Sequence, residues 1–220
     1  MAFQGFPAEA LAFYEGLEAD NSKAYWTAHR ATYDRCVKGA MEDLVEAVSE
    51  EYRPLRLFRP NRDIRFSKDK SPYKTQCPAA GESEGGAVYY VALSAAGLFA
   101  GSGYYHLAPD QLGRFREAVD DDTTGADLVA RLAAVSAQRY DLASHEELKT
   151  MPRGYAKDHP RAALLRRKGL VVCRGPERGK WLQSRTAVDR VEEVWRAAGP
   201  VNEWLNAYVG PSRLPPREAR

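Results

Sequence analysis

Around Pro54 the apolar residues change from helical to strand spacing, and no regular strand-helix-strand alternation follows. Upstream, Trp26, Tyr33, Val37, Met41, Leu44, Val45, Val48 and Tyr52 recur at threes and fours, the spacing of one helical face. This predicts a helix capped by Asp20 or Asn21 and running to about Glu51. Its length would be on the order of 45 Å at 1.5 Å per residue, with Gly39 as a bending point. Glu42, Asp43, Glu46, Glu50 and Glu51 form its solvated face, and Leu11, Tyr14 and Leu17 mark a shorter helix before it. Pro54 ends the long helix, because proline lacks a donor and restricts its predecessor.

Downstream, Arg62, Ile64 and Phe66 alternate with Asp63, Arg65 and Ser67, which predicts a strand. A polar loop over 67–72 and a flexible glycine-rich stretch over 80–86 follow. Two β-rich runs, 88–93 and 98–105, are joined by a connection with the length and composition of a hairpin turn. The first is apolar or aromatic on both faces, which implies cover on both sides. Helices return at Pro109, a good first-turn residue, with stripes of Leu112, Phe115 and Val119 and then Leu128, Leu132 and Val135. A loop over 144–160, a short helix over 161–168 and a strand over 170–173 come next. The last helix carries Val188, Val191, Trp195 and Ala198, breaks at Gly199-Pro200, and resumes with Val201, Trp204, Leu205 and Tyr208. The pattern predicts an α+β fold: one domain over residues 1–210 with a small, mostly antiparallel sheet centred on Ile64, Val91 and Phe99, packed against several helices. Residues 211–220 read as a disordered tail.

Several chemistries are disfavoured. Thirty-two basic residues face 30 acidic ones, a net charge of +2 that does not demand a nucleic-acid partner. The longest apolar run, 87–100, is too short to span a bilayer, and residues 1–7 lack the pattern of a secretory signal. The expected setting is cytoplasmic, with no membrane partner. Cys36, Cys77 and Cys173 are odd in number and far apart, unlike a disulfide framework or a zinc site. His29, His106, His145 and His159 are equally scattered, so no metal and no cofactor are expected. Cys173 follows Leu170, Val171 and Val172 and reads as an inert buried thiol. Gly101-Ser102-Gly103 lacks the third glycine and helix of a dinucleotide loop; it reads as room for aromatics across a sheet. Gly179-Lys180-Trp181 is no phosphate loop, and no local motif suggests a Ser-His-Asp triad.

One segment stands out. Between residues 56 and 74 lie seven basic residues, Arg56, Arg59, Arg62, Arg65, Lys68, Lys70 and Lys74, against two acids, Asp63 and Asp69. The local net charge of +5 exceeds that of the whole chain. Arginine's planar fork suits carboxylate or phosphate. The first reading is a basic pocket that binds, with or without turnover, a small phosphorylated or carboxylate ligand. Arg59, Arg62, Arg65 and Lys70 supply charge there, Asp63 orients a guanidinium, and Tyr73 and His106 offer hydrogen bonds. Asp63 or His106 could handle a proton. Arg153-Gly154-Tyr155 forms a turn that could place both flanking side chains over a ligand. The rival is a non-enzymatic protein-interaction module in which the Arg/Asp motif is an internal ion-pair network. Nucleic-acid binding is third. No motif specifies a reaction, a ligand identity or an oligomeric state.

The same segment resembles the signature of a bacterial and fungal family of unknown function: Arg, two residues, Arg-Asp, one residue, Arg-Phe, then Asp or Asn followed by Lys and, three on, Tyr. Arg59, Arg62, Asp63, Arg65, Phe66, Asp69, Lys70 and Tyr73 meet every fixed position. Weaker likeness covers 21–33, 103–112 and 148–160. The resemblance implies a cytosolic protein of about this length and carries no established activity.

Overall fold

In the computed structural model, which describes residues 2–52, 55–65 and 68–215, the first apolar stripe forms helix α1 (Ala8–Ala19), burying Ala10, Phe13, Tyr14 and Leu17. The long helical pattern that follows is wound in four pieces: α2 (Lys23–Thr32), a π-helical stretch (Tyr33–Gly39), α3 (Ala40–Ala47) and α4 (Ser49–Tyr52). Its cap is neither Asp20 nor Asn21 but Ser22, whose hydroxyl accepts the Tyr25 backbone N–H at 3.1 Å. Three consecutive residues there can cap, and the Asn21 amide is engaged elsewhere. Gly39 closes the π-helical stretch. Pro54, on which the helix end was expected, lies outside the described residues, as do Phe66, Ser67 and residues 216–220.

The strands are β1 (Arg56–Leu57), β2 (Gln76–Glu82), β3 (Val88–Ser94), β4 (Gly97–Tyr104), β5 (Asp141–Ala143) and β6 (Leu170–Glu177). They form an open antiparallel sheet in the order β1-β2-β3-β4-β6-β5, and the fold is α+β as expected. The β3–β4 hairpin turns at Ala95-Ala96, where Gly97 takes the positive φ of 116°. Ile64 is not part of this sheet, and residues 62–65 form no strand. The alternation of Arg62 to Arg65 looked pleated, but the Asp63 carboxylate accepts the Arg65 backbone N–H and diverts the chain into a turn. The stretch expected to be flexible is strand as far as Glu82, and Ser83 to Gly86 close a tight turn, Gly86 N–H donating to the Ser83 carbonyl at 2.9 Å.

Helices α5 (Pro109–Asp120) and α6 (Asp122–Ala137) follow the two predicted stripes, and Asp121 caps α6 through the N–H groups of Thr123 and Thr124. The helix expected over 161–168 is shorter, α7 (Ala162–Leu165). Strand β6 runs four residues past Cys173, and the three-residue β5 pairs with it, Leu142 opposite Val172. Helix α8 (Thr186–Tyr208) is unbroken despite Pro200. Trp195, Ala198, Val201, Trp204 and Leu205 on both sides of that proline are buried, and their burial outweighs the missing hydrogen bond. No helix among the described residues is long and apolar enough to cross a membrane.

Two compact units are distinguishable: residues 1–81, 89–100 and 174–193, and residues 82–88, 101–173 and 194–220. In the first, Phe13 lies edge-on to Tyr14 and Trp26. Burial pushes the Cys77 thiol up to about 11, so it stays protonated at neutral pH. In the second, Phe115, Leu128, Trp204 and Leu205 centre the core. The Trp204 indole N–H donates to the Thr124 carbonyl at 2.9 Å and the Trp195 indole to the Gly101 carbonyl at 3.1 Å. Cys173 is buried, as expected, and its thiol is likewise pushed up to about 11. Gly101 and Gly103 make room for the backbone and side chains of β6 rather than for aromatics. Residues 211–215, the described part of the expected tail, begin as a strap: Ser212 Oγ and the Arg213 N–H both donate to the Asp110 carboxylate at 2.8 Å.

Candidate anion-binding arm

Beyond the β1–β2 pair the two strands continue as an irregular ribbon. The Phe58 N–H donates to the Pro78 carbonyl, Lys74 to Pro60 and Arg62 to Pro72, at 2.8–3.0 Å, and Asn61 bridges Tyr73. Pro60, Pro72 and Pro78 accept but cannot donate, so no regular ladder forms. From Phe58 to Asn61 the chain advances three residues, while from Tyr73 to Pro78 it advances five. The extra two residues bulge the return strand. The described residues of its tip are 63–65 and 68–71.

The arm is held at its return strand. The Asn21 side chain grips both backbone groups of Tyr73: its Nδ2 donates to the Tyr73 carbonyl at 3.0 Å and its Oδ1 accepts the Tyr73 N–H at 3.1 Å. The Tyr73 ring, buried, lies flat on Trp26 at 4.2 Å and 9°. Trp26 in turn packs against Tyr33 and Phe13. Ser22 and Asn21 therefore divide two jobs at one helix start, capping and clamping.

At the tip the two acids are used alike. Asp63 accepts the N–H of Arg65 and Asp69 the N–H of Ser71, each two residues on, at 3.2 and 2.9 Å. These are Asx turns. Each carboxylate also binds an arginine. Arg65 approaches Asp63 with Nε at 3.0 Å and Nη2 at 2.6 Å, and Arg62 reaches Asp69 through Nη1. The Arg65 hydrogen bonds hold the Asp63 carboxyl down at about 2, and those of Ser71, with Arg62, do the same for Asp69. A group so acidic carries no proton at neutral pH and is a weak proton acceptor.

Among the described residues the remaining cations of the arm form no ion pair. The Lys70 Nζ donates to the Ile64 carbonyl at 2.9 Å and the Lys74 Nζ to the Arg59 carbonyl at 2.8 Å. Among the described residues, the side chains of Arg56, Arg59 and Lys68 make no hydrogen bond or ion pair. The Lys74 ammonium also sits 5.3 Å from the centre of the Phe58 ring, which is 48% exposed. Desolvation, followed by the nearby Arg59 charge, lowers the Lys74 pKa. Two depressions in the first unit, one lined by Phe3, Asp43 and Arg185 among others and one by residues 4–8 with Gln183, include no residue of the arm.

The other sequence-predicted residues belong to the second unit. His106 is exposed, its ring edge-on to His145 at 5.2 Å. Arg153 is exposed, and the Tyr155 ring packs against that unit's core. Asn21 and Trp26 were not anticipated as part of the site; the weak family likeness over 21–33 was the only signal. Arg59, Arg62, Asp63, Arg65, Lys70 and Tyr73 do come together on one arm.

Because Asp63 and Asp69 titrate lower in the folded arm than in an unfolded chain, their contribution to stability is complete above about pH 4 and is lost as the pH falls through 2. Carbon-detected NMR of the aspartate carboxyls should give midpoints near 2 for both, and Arg65→Gln should raise that of Asp63 alone. Midpoints of about 4 in the parent would mean that the pairs do not form in solution.

Fold and site together define an α+β protein whose sheet edge extends into a charged, aromatic-seated arm. The chain belongs to the conserved hypothetical protein family DUF2461, whose family model matches residues 9–204. No curated protein and no solved structure matches it.

Proposed function

We propose that the arm is a recognition element for a small phosphorylated or carboxylate ligand, with Arg59 and Lys74 at its centre and Lys70 and Lys68 toward the tip. One observation carries this reading. Both acids of the segment are committed to shaping the tip, and among the described residues Arg56, Arg59, Lys68, Lys70 and Lys74 form no ion pair with a carboxylate, Arg59 reaching Asp63 only through its longer-range charge. Arg62 and Arg65 then act as braces rather than ligand contacts. Arg59 and Lys74 repel one another in the free protein, and an anion between them would relieve that repulsion and favour the protonated lysine. Binding should therefore be accompanied by proton uptake at alkaline pH. The setting we assign is the cytoplasm, where three free cysteines would stay reduced.

Calorimetric titration of the full chain with inorganic phosphate, pyrophosphate and citrate tests the reading. Arg59→Ala and Lys74→Ala should each weaken binding on the order of ten-fold or more, as expected for a charge-assisted hydrogen bond, without unfolding the protein. No saturable heat with any of the three in the parent would sink it. The two Asp–Arg pairs favour the rival, an interaction module with an internal ion-pair network; that reading predicts no response to small anions and a rearranged arm in Asp63→Asn. Retention on single-stranded DNA that weakens steeply with salt would replace the small ligand by a polyanion.

A further inference from the structure

We propose, resting on the reading of the arm as an anion-binding element, that its ligand is a nucleoside phosphate. The phosphate meets Lys74 and Arg59, and the base stacks on the exposed ring of Phe58.

Phe58 is placed where the regular ladder ends. Leu57 still pairs with Ala79, and the Phe58 N–H donates to the Pro78 carbonyl at 3.0 Å. Lys74 arrives on the return strand, its own N–H donating to the Pro60 carbonyl at 2.8 Å. Backbone hydrogen bonds of the ribbon therefore hold both residues, and their side chains meet across it, the Lys74 ammonium lying 5.3 Å from the centre of the Phe58 ring. The same ammonium donates to the Arg59 carbonyl at 2.8 Å, so direct contacts join the ring, the lysine and the residue that follows the ring. An ammonium carries three donors and this bond uses one, which leaves two for a ligand oxygen. Lys74 is half-buried and forms no ion pair among the described residues.

A bare anion leaves the phenyl ring without a role. The ring has no polar atom, and its face carries the negative part of the quadrupole, which attracts Lys74 and repels an anion. It is nevertheless 48% exposed, so the lysine covers only part of it. The natural partner of such a surface is another π-face, and every nucleobase presents one. In a nucleoside phosphate a single sugar joins that face to a phosphate, so one molecule can reach two neighbouring groups. Charge agrees with the choice. The segment 56–74 has a net charge of +5, and its two acids already bind arginines, Asp63 to Arg65 and Asp69 to Arg62. Single strands track along successive aromatic side chains, whereas here the other described aromatic of the arm, Tyr73, is buried flat against Trp26. One exposed ring fits one base.

The test is calorimetric titration of the full chain with AMP, ribose 5-phosphate, adenosine and a short single-stranded deoxyadenosine oligomer. AMP should bind on the order of ten-fold or more tightly than ribose 5-phosphate, the gain from one stacked base. Adenosine, which lacks the phosphate, should bind more weakly than AMP by a similar factor. Phe58→Leu keeps an apolar side chain at this exposed position but removes the π-face, and it should bring the ratio of AMP to ribose 5-phosphate affinity close to one. Phe58→Trp should keep that ratio or enlarge it. In NMR, the ring resonances missing from the Phe58→Leu spectrum should move upfield with AMP and stay in place with ribose 5-phosphate. Equal affinity for AMP and ribose 5-phosphate, each lost in Arg59→Ala and Lys74→Ala, overturns the nucleoside assignment and leaves the arm as an anion site. Absence of binding by either overturns both readings. An undiminished ratio in Phe58→Leu also overturns the proposal, and so does an oligomer that displaces AMP with a steep salt dependence, which would assign the arm to single-stranded nucleic acid.

Discussion

Trp26→Ala is expected to cost about 3–5 kcal/mol, the range for truncating a buried tryptophan, and to unseat the charged arm at the same time. Trp26 is 6% exposed, is flat against Tyr73 and touches Phe13 and Tyr33. Its removal opens a cavity in the first unit and takes away the surface on which the return strand rests. Urea unfolding gives the loss of stability, and limited proteolysis within 59–74 reports the arm. A Trp26→Ala protein that loses less than about 1 kcal/mol and keeps the arm resistant would show that Asn21 alone holds Tyr73. Tyr73→Phe separates packing from binding, since the ring stays and only the hydroxyl goes. Stability should be nearly unchanged, and any loss of anion affinity then belongs to that hydroxyl.

The second large effect concerns β4. Gly103 has a φ of 144°, and a Cβ built on it would lie 2.2 Å from the Leu170 carbonyl oxygen, a backbone atom fixed in β6. Gly103→Ala should cost about 3 kcal/mol, through a strained φ and a clash that no side chain can yield to. Gly113 on α5 supplies the contrast: nothing lies within 4 Å of its added Cβ, so Gly113→Ala should stabilise by about 0.5–1 kcal/mol. Thermal unfolding of the two single variants should move in opposite directions. A neutral Gly103→Ala would mean that β4 and β6 are less closely apposed than described.

The sequence pattern foretold what rests on local periodicity and turn chemistry. The β3–β4 hairpin was legible because two β-rich runs flank a short Ser-Ala-Ala-Gly turn, and α5 and α6 because of their apolar stripes, the first opening at Pro109. The strand expected from Arg62 onward is absent over the described residues 62–65 for a physical reason. Alternation cannot tell a pleat from a loop whose aspartates accept their own backbone N–H groups, as Asp63 and Asp69 do. Short β5 had too few residues to signal, and Pro200 looked like a break because burial on both sides of it is a tertiary fact.

For the proposed site, charge density singled out the segment but not how its charges are paired. Arg62 and Arg65 looked like ligand contacts, and the structure gives each an aspartate. Asn21 clamps a residue 52 positions away, a relation that no local spacing encodes.

The π-wound stretch Tyr33–Gly39 sets the angular phase between Trp26 and the buried Met41 and Leu44 downstream. The wide winding already takes up one extra residue relative to an α-helix, so a further inserted residue would swing everything upstream by about 100° around the helix axis. The indole would then face away from its tyrosine. In this part of the chain, length is a stricter inheritance than side-chain identity: exchanges can be absorbed by repacking, whereas a further insertion rotates the platform on which the arm is seated.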